Sequence, residues 1–299
     1  MNRSSFIGTG VAMVTPFNQD GSIDFSSIQP LVDFVISGGV DYLVVLGTTA
    51  ETATLSVAEK RAVMDAFIQA NNERVPLVLG MGGNNTQALV NEFKETDFSG
   101  FSAVLSVSPY YNRPSQEGIY RHFCELSKAS TLPIILYNVP QRTASNMEVE
   151  TVLRIANDCS NVIGIKEAKG DIHQAKELIA KRPSGFLVIS GDDTLALSMV
   201  LEGGDGVISV IGGGFPNEFS EIISLGLSHN ADLATQKQAK LSKAIQLIYE
   251  EGNPVGIKSV LSHRGLCTDK VRLPLVSASK SLSDRIKDCC LKFHDFVGI

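Results

Sequence analysis

An amine and a phenol close two short apolar runs of this chain, Val162 to Lys166 and Pro133 to Tyr137. Side chains alternate along a strand, so Lys166 shares a face with Val162 and Gly164, while Ile163 and Ile165 share the other. The bulky pair suits a helix layer. That leaves the amine pointing inward above a glycine, with room beside it for a ligand. An ammonium with an ordinary pKa of about 10.4 is costly to bury charged, and burial favours the neutral amine that attacks a ketone. The same alternation sets Tyr137 beside Ile135, with Ile134 and Leu136 on the opposite face. A phenol next to such an amine can pass protons while a carbinolamine forms and loses water. Both residues also have plainer readings: most lysines sit on surface loops, and Tyr often fills a core with its hydroxyl bonded to backbone.

Two other segments could bind rather than react. Gly47, Thr48 and Thr49 follow an apolar run and offer N–H groups and two hydroxyls, suited to a carboxylate; a capped turn without a ligand fits equally. Gly212 to Gly214 is either a phosphate loop or an ordinary one. Asp192 and Asp193 weigh against a phosphate cradle near Ser190.

Eight apolar or β-branched runs must position these groups: Gly10 to Val14, Tyr42 to Leu46, Pro76 to Gly80, Ala103 to Val107, Pro133 to Tyr137, Val162 to Lys166, Phe186 to Ser190 and Gly206 to Val210. Each is followed by a small or polar turn and an amphipathic stretch, such as Val57 to Asn71, Thr86 to Asp97 or Gln116 to Ser130, with Ser56 and Ser115 placed as N-caps. Eight strand-helix units predict an α/β protein, a (β/α)8 barrel with its site at the carboxyl ends of the strands. The barrel strands and most helices fall in residues 1–215. Residues 216–299 read as the last barrel helix and a C-terminal helical segment that includes Leu233 to Glu250. This segment is expected to pack on the barrel or on a neighbouring subunit.

Composition narrows the function classes. The chain has 299 residues, 43% hydrophobic and 19% charged, which is ordinary for a globular protein. Its net charge of -6 is interspersed, with no basic block to follow a phosphate backbone, so nucleic acid is not an expected partner. Met1 to Gly10 carries no apolar run of a signal peptide or anchor, which predicts a cytosolic protein without a membrane partner. Five scattered cysteines, Cys124, Cys159, Cys267, Cys289 and Cys290, read as free, mostly buried thiols. The histidines 122, 173, 229, 263 and 294 share no i, i+4 pair, and no metal or cofactor is expected.

The residues at the strand ends resemble the dihydrodipicolinate synthase family, within the pyruvate-dependent class I aldolases that include N-acetylneuraminate lyase. The shared motifs run from Gly47 to Glu51, Ser108 to Gly118, Leu136 to Thr143, Gly164 to Ala168, Ser190 to Asp193 and Gly206 to Val210. The resemblance implies that Lys166 forms an imine with pyruvate and that the enamine attacks L-aspartate 4-semialdehyde. Ring closure would then give a hydroxylated tetrahydrodipicolinate. It also implies a proton relay of Tyr137, Thr49 and Tyr111, the last reaching a neighbouring subunit's site. Thr48 and Thr49 would hold the pyruvate carboxylate, Arg142 the aldehyde's carboxylate, and Gly191 and Ile208 would line the pocket. Arg142 and the paired threonines favour the synthases over the sialic-acid or 2-keto-3-deoxy sugar acid lyases. Loss of catalysis, leaving a ligand-binding scaffold, is the remaining alternative. A homotetramer built from tight dimers is implied as well.

Two departures from the family pattern are Ala50 and Gly213, where relatives usually carry Gly and Asn. A methyl at 50 is tolerable if that residue's φ is negative, which is the expectation here. Tyr110 and Asn84 match the lysine-feedback site of regulated relatives, while Val57, Lys60 and Ala88 replace two His and a Glu there. Losing a carboxylate and gaining an ammonium predicts weak lysine inhibition or none.

Overall fold

The structure, a computed structural model, describes residues 3–293. The eight apolar runs form β1 (Gly8–Ala12), β2 (Tyr42–Val45), β3 (Leu77–Gly80), β4 (Ala103–Val107), β5 (Ile134–Asn138), β6 (Val162–Glu167), β7 (Leu187–Ser190) and β8 (Gly206–Ser209). All pair in parallel and in chain order, and β8 returns to β1 to close the barrel. Every residue of β2, β5, β6, β7 and β8 is buried, because such strands are covered on both faces. Glycines let the seam close: a Cβ on Gly206 would stand 2.0 Å from the Gly8 carbonyl oxygen.

The helices are α1 (Ile28–Ser37), α2 (Val57–Asn71), α3 (Thr86–Glu95), α4 (Gln116–Ala129), α5 (Pro140–Thr143), α6 (Val149–Asp158), α7 (Ile172–Lys181) and α8 (Ala196–Leu201). After β8 come α9 (Pro216–Leu227), α10 (Ala231–Glu250), α11 (Val255–His263) and α12 (Lys280–Leu291), and no further strand among the described residues. Ser56 starts α2 through a reciprocal capping box with Glu59, and the Ser115 hydroxyl accepts from Gly118 N–H at the start of α4. Helix α9 packs on β1 and α8, and α11 on the turn Ile211–Gly213, so the C-terminal segment covers this chain's own barrel. His294 lies outside the described residues.

Two expectations need correction. Strand β1 begins at Gly8 and not Gly10, because Gly8 and Thr9 pair with Gly206 and Val207, a contact that local hydrophobicity does not reveal. The even alternation along β6 also fails at its start. Opposite β5 the register runs Ile134 with Val162, then Ile135 with Gly164, so one residue is inserted. Val162 therefore joins the helix layer and Ile163 the barrel interior, while Ile165 keeps its expected outward place. Beyond the bulge the alternation resumes and Lys166 points inward.

The interior is filled by one side chain layer after another, among them Tyr42, Val44, Ile135, Ile163, Leu187, Ile189 and Ile208. Phe6, edge-on to Tyr42 at 5.7 Å, plugs the amino end.

Candidate active site

Strand pairing places Tyr137 directly beside Lys166. Both are buried, with 6% of Lys166 and 8% of Tyr137 exposed, and the amine Nζ lies 4.4 Å from the centre of the phenol ring. Among the described residues no carboxylate forms an ion pair with this amine, so nothing ties it down as half of a salt bridge. The glycine that makes room for it is not Gly164, whose missing side chain is replaced by Leu187: a Cβ there would stand 2.7 Å from the Leu187 Cβ. It is Gly191. A Cβ at 191 would lie 2.9 Å from Cε and 3.1 Å from Cγ of Lys166, and 2.5 Å from the Ala168 Cβ. Gly191→Ala is therefore expected to push the amine aside and slow imine formation by about 10- to 100-fold, since small displacements at a reacting centre are costly. Reductive trapping of the imine measures this directly.

Thr48 to Ala50 form a short helical turn after β2. Thr49 is buried at 2% exposure and Thr48 is exposed. Ala50 keeps a negative φ, as expected; the left-handed residue is its neighbour Glu51, at φ +55°. A link absent from the sequence reading ties this turn to Arg142. Asn253, just before α11, donates from Nδ2 to the Thr49 hydroxyl at 3.0 Å, and its backbone oxygen accepts from Arg142 Nη2 at 3.4 Å. Ile208 lines the interior on β8. Tyr111 stands apart at 87% exposure, with φ +70°, and hydrogen-bonds neither Tyr137 nor Thr49 among the described residues.

Comparison with known proteins places the chain in a family and matches its barrel. The sequence model of the "Dihydrodipicolinate synthetase family" matches residues 5–291. The chain belongs to that family. It is 59% identical, over 282 residues covering 94% of this chain and 96% of the other, to a 4-hydroxy-tetrahydrodipicolinate synthase of Flavobacterium psychrophilum. It superposes with a TM-score of 0.92 and 35% identity on the chloride-inhibited dihydrodipicolinate synthase of Acinetobacter baumannii complexed with pyruvate, covering 95% of this chain and 98% of that one. The Cyanidioschyzon merolae enzyme with lysine bound gives 0.91 at 30% identity, covering 96% and 98%.

In this dihydrodipicolinate synthetase family member, the positions expected to match a feedback site are spread over the loops before α3 and α4 and the first turns of α2 and α3. Asn84 donates to the Tyr110 backbone oxygen at 3.3 Å; Val57 and Lys60 lie in the first turn of α2, and Ala88 in that of α3. No phosphate cradle forms at Gly212 to Gly214. The N–H groups of Val210 and Ile211 go to the buried Asp193 carboxylate, and that of Gly212 to the Ser209 hydroxyl. Burial pushes the Asp193 carboxyl up, against hydrogen bonds from Ser209, Ile211, Tyr249 and Val210.

Behind the lysine, Glu167 is also buried, and its carboxyl is pushed up for the same reason, opposed by bonds from Asn138, Lys169 N–H and Gln174. Asn138 Nδ2 reaches both Glu167 oxygens at 2.9 and 3.0 Å, which clamps together the strand ends that carry Tyr137 and Lys166. The thiols are free; Cys159, Cys289 and Cys290 are buried, Cys124 and Cys267 half-buried. Among the described residues no helix is long and apolar enough to cross a membrane.

Proposed function

We propose that this chain is a 4-hydroxy-tetrahydrodipicolinate synthase, a lyase of the diaminopimelate and lysine pathway. The observation that carries the reading is the buried, carboxylate-free Lys166 amine packed on the Tyr137 ring at the barrel mouth. Lys166 attacks the ketone of pyruvate, Tyr137 moves protons as water leaves, and loss of a methyl proton from the iminium gives an enamine. The enamine carbon attacks the aldehyde carbon of L-aspartate 4-semialdehyde. The substrate's own amine then displaces Lys166 and closes the ring.

Thr48 and Thr49 hold the pyruvate carboxylate, with Gly191 and Ile208 lining the pocket. Arg142 receives the aldehyde's carboxylate; its exposed position, where its guanidinium bonds the Asn253 backbone oxygen, suits a group that meets the second substrate from the solvent side. Thr49 and Tyr111 extend the relay from Tyr137. Support for Tyr111 is its exposed ring on a left-handed backbone, a conformation costly for a bulky residue and typical of functional positions. A ring so placed serves a neighbouring subunit, which requires a dimer at least, and the family resemblance extends this to a homotetramer of tight dimers. The cytoplasm, where thiols stay reduced, suits its five free cysteines.

The test is borohydride trapping with peptide mapping, followed by a condensation assay. Pyruvate with reductant is expected to add a pyruvate-derived mass at Lys166, and semialdehyde with pyruvate to turn over. Arg142→Ala should keep the trapped adduct and lose condensation by about 10²-fold or more, since a bidentate carboxylate contact is gone. Pyruvate release from a sugar acid, without turnover of the semialdehyde, would sink the reading.

Lysine is expected to inhibit poorly. At the positions that match the feedback site, Lys60 adds a positive charge and Ala88 offers none to oppose it, so a cationic ligand meets net repulsion. A titration of initial rate against lysine should stay flat through the sub-millimolar range, and half-inhibition within it contradicts the proposal.

A further inference from the structure

The turn that carries Thr48 and Thr49 is held from beneath by a buried ion pair. Lys258 of α11 and Glu51, the last residue of the Gly47–Glu51 motif, meet at 2.5 Å with side chains 0% and 1% exposed. The remaining donors and acceptors are used. Lys258 Nζ also donates to the Lys270 backbone oxygen at 2.8 Å and lies 4.1 Å from the centre of the Phe17 ring. The second Glu51 oxygen accepts from Arg272 N–H at 2.8 Å. On the other side of the turn, the Thr15 hydroxyl donates to the Ala50 backbone oxygen at 2.8 Å.

Neither charge takes part in the chemistry proposed above. Replacing both members of a buried ion pair with apolar groups is often neutral for stability, whereas a directional pair does hold geometry. Here it holds geometry at a demanding place. Glu51 sits at φ +55°, a conformation side-chain-bearing residues rarely adopt, and it ends the helical turn whose buried hydroxyl, on Thr49, is two residues away. The same helix that supplies Lys258 begins just after Asn253, which bonds the Thr49 hydroxyl at 3.0 Å. Helix α11 and the residue leading into it thus grip the turn at two points, its hydroxyl face from Asn253 and its far end from Lys258.

We infer that the Glu51–Lys258 pair is a positioning device for the reaction. It locks the Thr48–Thr49 turn where the two hydroxyls meet the carboxylate of the keto acid, an assignment that rests on the synthase reading above. Both are positioning residues, since they act through the turn and touch no reacting atom.

The double variant Glu51→Gln/Lys258→Met tests this, because it removes both charges at nearly constant volume and leaves neither buried alone. Its pyruvate KM is expected to rise about tenfold or more, and adduct trapping at low pyruvate to slow in step, while the KM for the aldehyde stays within about twofold. A purely structural pair would lower the melting temperature and leave that ratio unmoved. A folded double variant with parental pyruvate KM therefore overturns the inference.

If the double variant does not fold, Glu51→Asp decides, since it keeps the charge and only shortens the arm. A pyruvate KM raised about threefold supports the device, and an unchanged one overturns it. Parent enzyme that gains no pyruvate-derived mass at Lys166 overturns the synthase reading and this inference with it. Parent enzyme that does, beside variants of unchanged pyruvate KM, overturns this inference alone.

Discussion

Lys166→Ala is expected to abolish condensation, lowering kcat by roughly 10⁴-fold or more, and to remove all borohydride-trapped adduct, because without the amine no imine forms. The substitution deletes a buried side chain that makes no ion pair, so it leaves no stranded carboxylate behind. The barrel should therefore fold, and the circular dichroism spectrum and melting temperature serve as the control. Two other buried or half-buried lysines are already committed. Lys169 is engaged with Asp171 at 2.9 Å and Gln174 at 3.1 Å, and Lys258 with Glu51 beneath the turn. Full turnover in the alanine variant would end the Schiff-base account; adduct mapped to a different lysine would relocate it.

The barrel was legible because its strands are covered on both faces and so announce themselves as continuous apolar runs. Seven of them begin within one residue of the expected start, and only β1 is displaced, by the glycine seam with β8. Facing was legible on β5, where Ile135 and Tyr137 turn inward and Ile134 and Leu136 outward. On β6 it was only partly so, since a bulge leaves no mark in a run of Val, Ile and Gly. The lysine came out right because the insertion lies before it. What stayed hidden is of one kind. Asn253, Lys258 and Tyr249 come from the helical segment after β8 and reach strand ends roughly 50 to 200 residues away, contacts that no local period encodes. The dipeptide Asn253-Pro254 does signal a turn, but not that the turn sits over Thr49.

Removing only the phenol oxygen separates the two members of the Lys166–Tyr137 pair. Tyr137→Phe keeps the ring on which the amine rests, at 4.4 Å to its centre, and with it the packing of the inner layer. Lys166 should accordingly keep its position and still be trapped to the same final extent with pyruvate. The rate should differ. Without the hydroxyl, carbinolamine dehydration and enamine formation must borrow protons from water, and general acid-base groups of this sort are worth about 10²- to 10⁴-fold. The expected pattern is a kcat lowered by that factor with pyruvate KM nearly unchanged, since the hydroxyl acts in the transition states more than in the bound ground state. Slow but complete trapping would mark Tyr137 as a proton carrier. A variant that traps as fast as the parent would show that the phenol only fills space, and the proton path would then have to run through Thr49 instead.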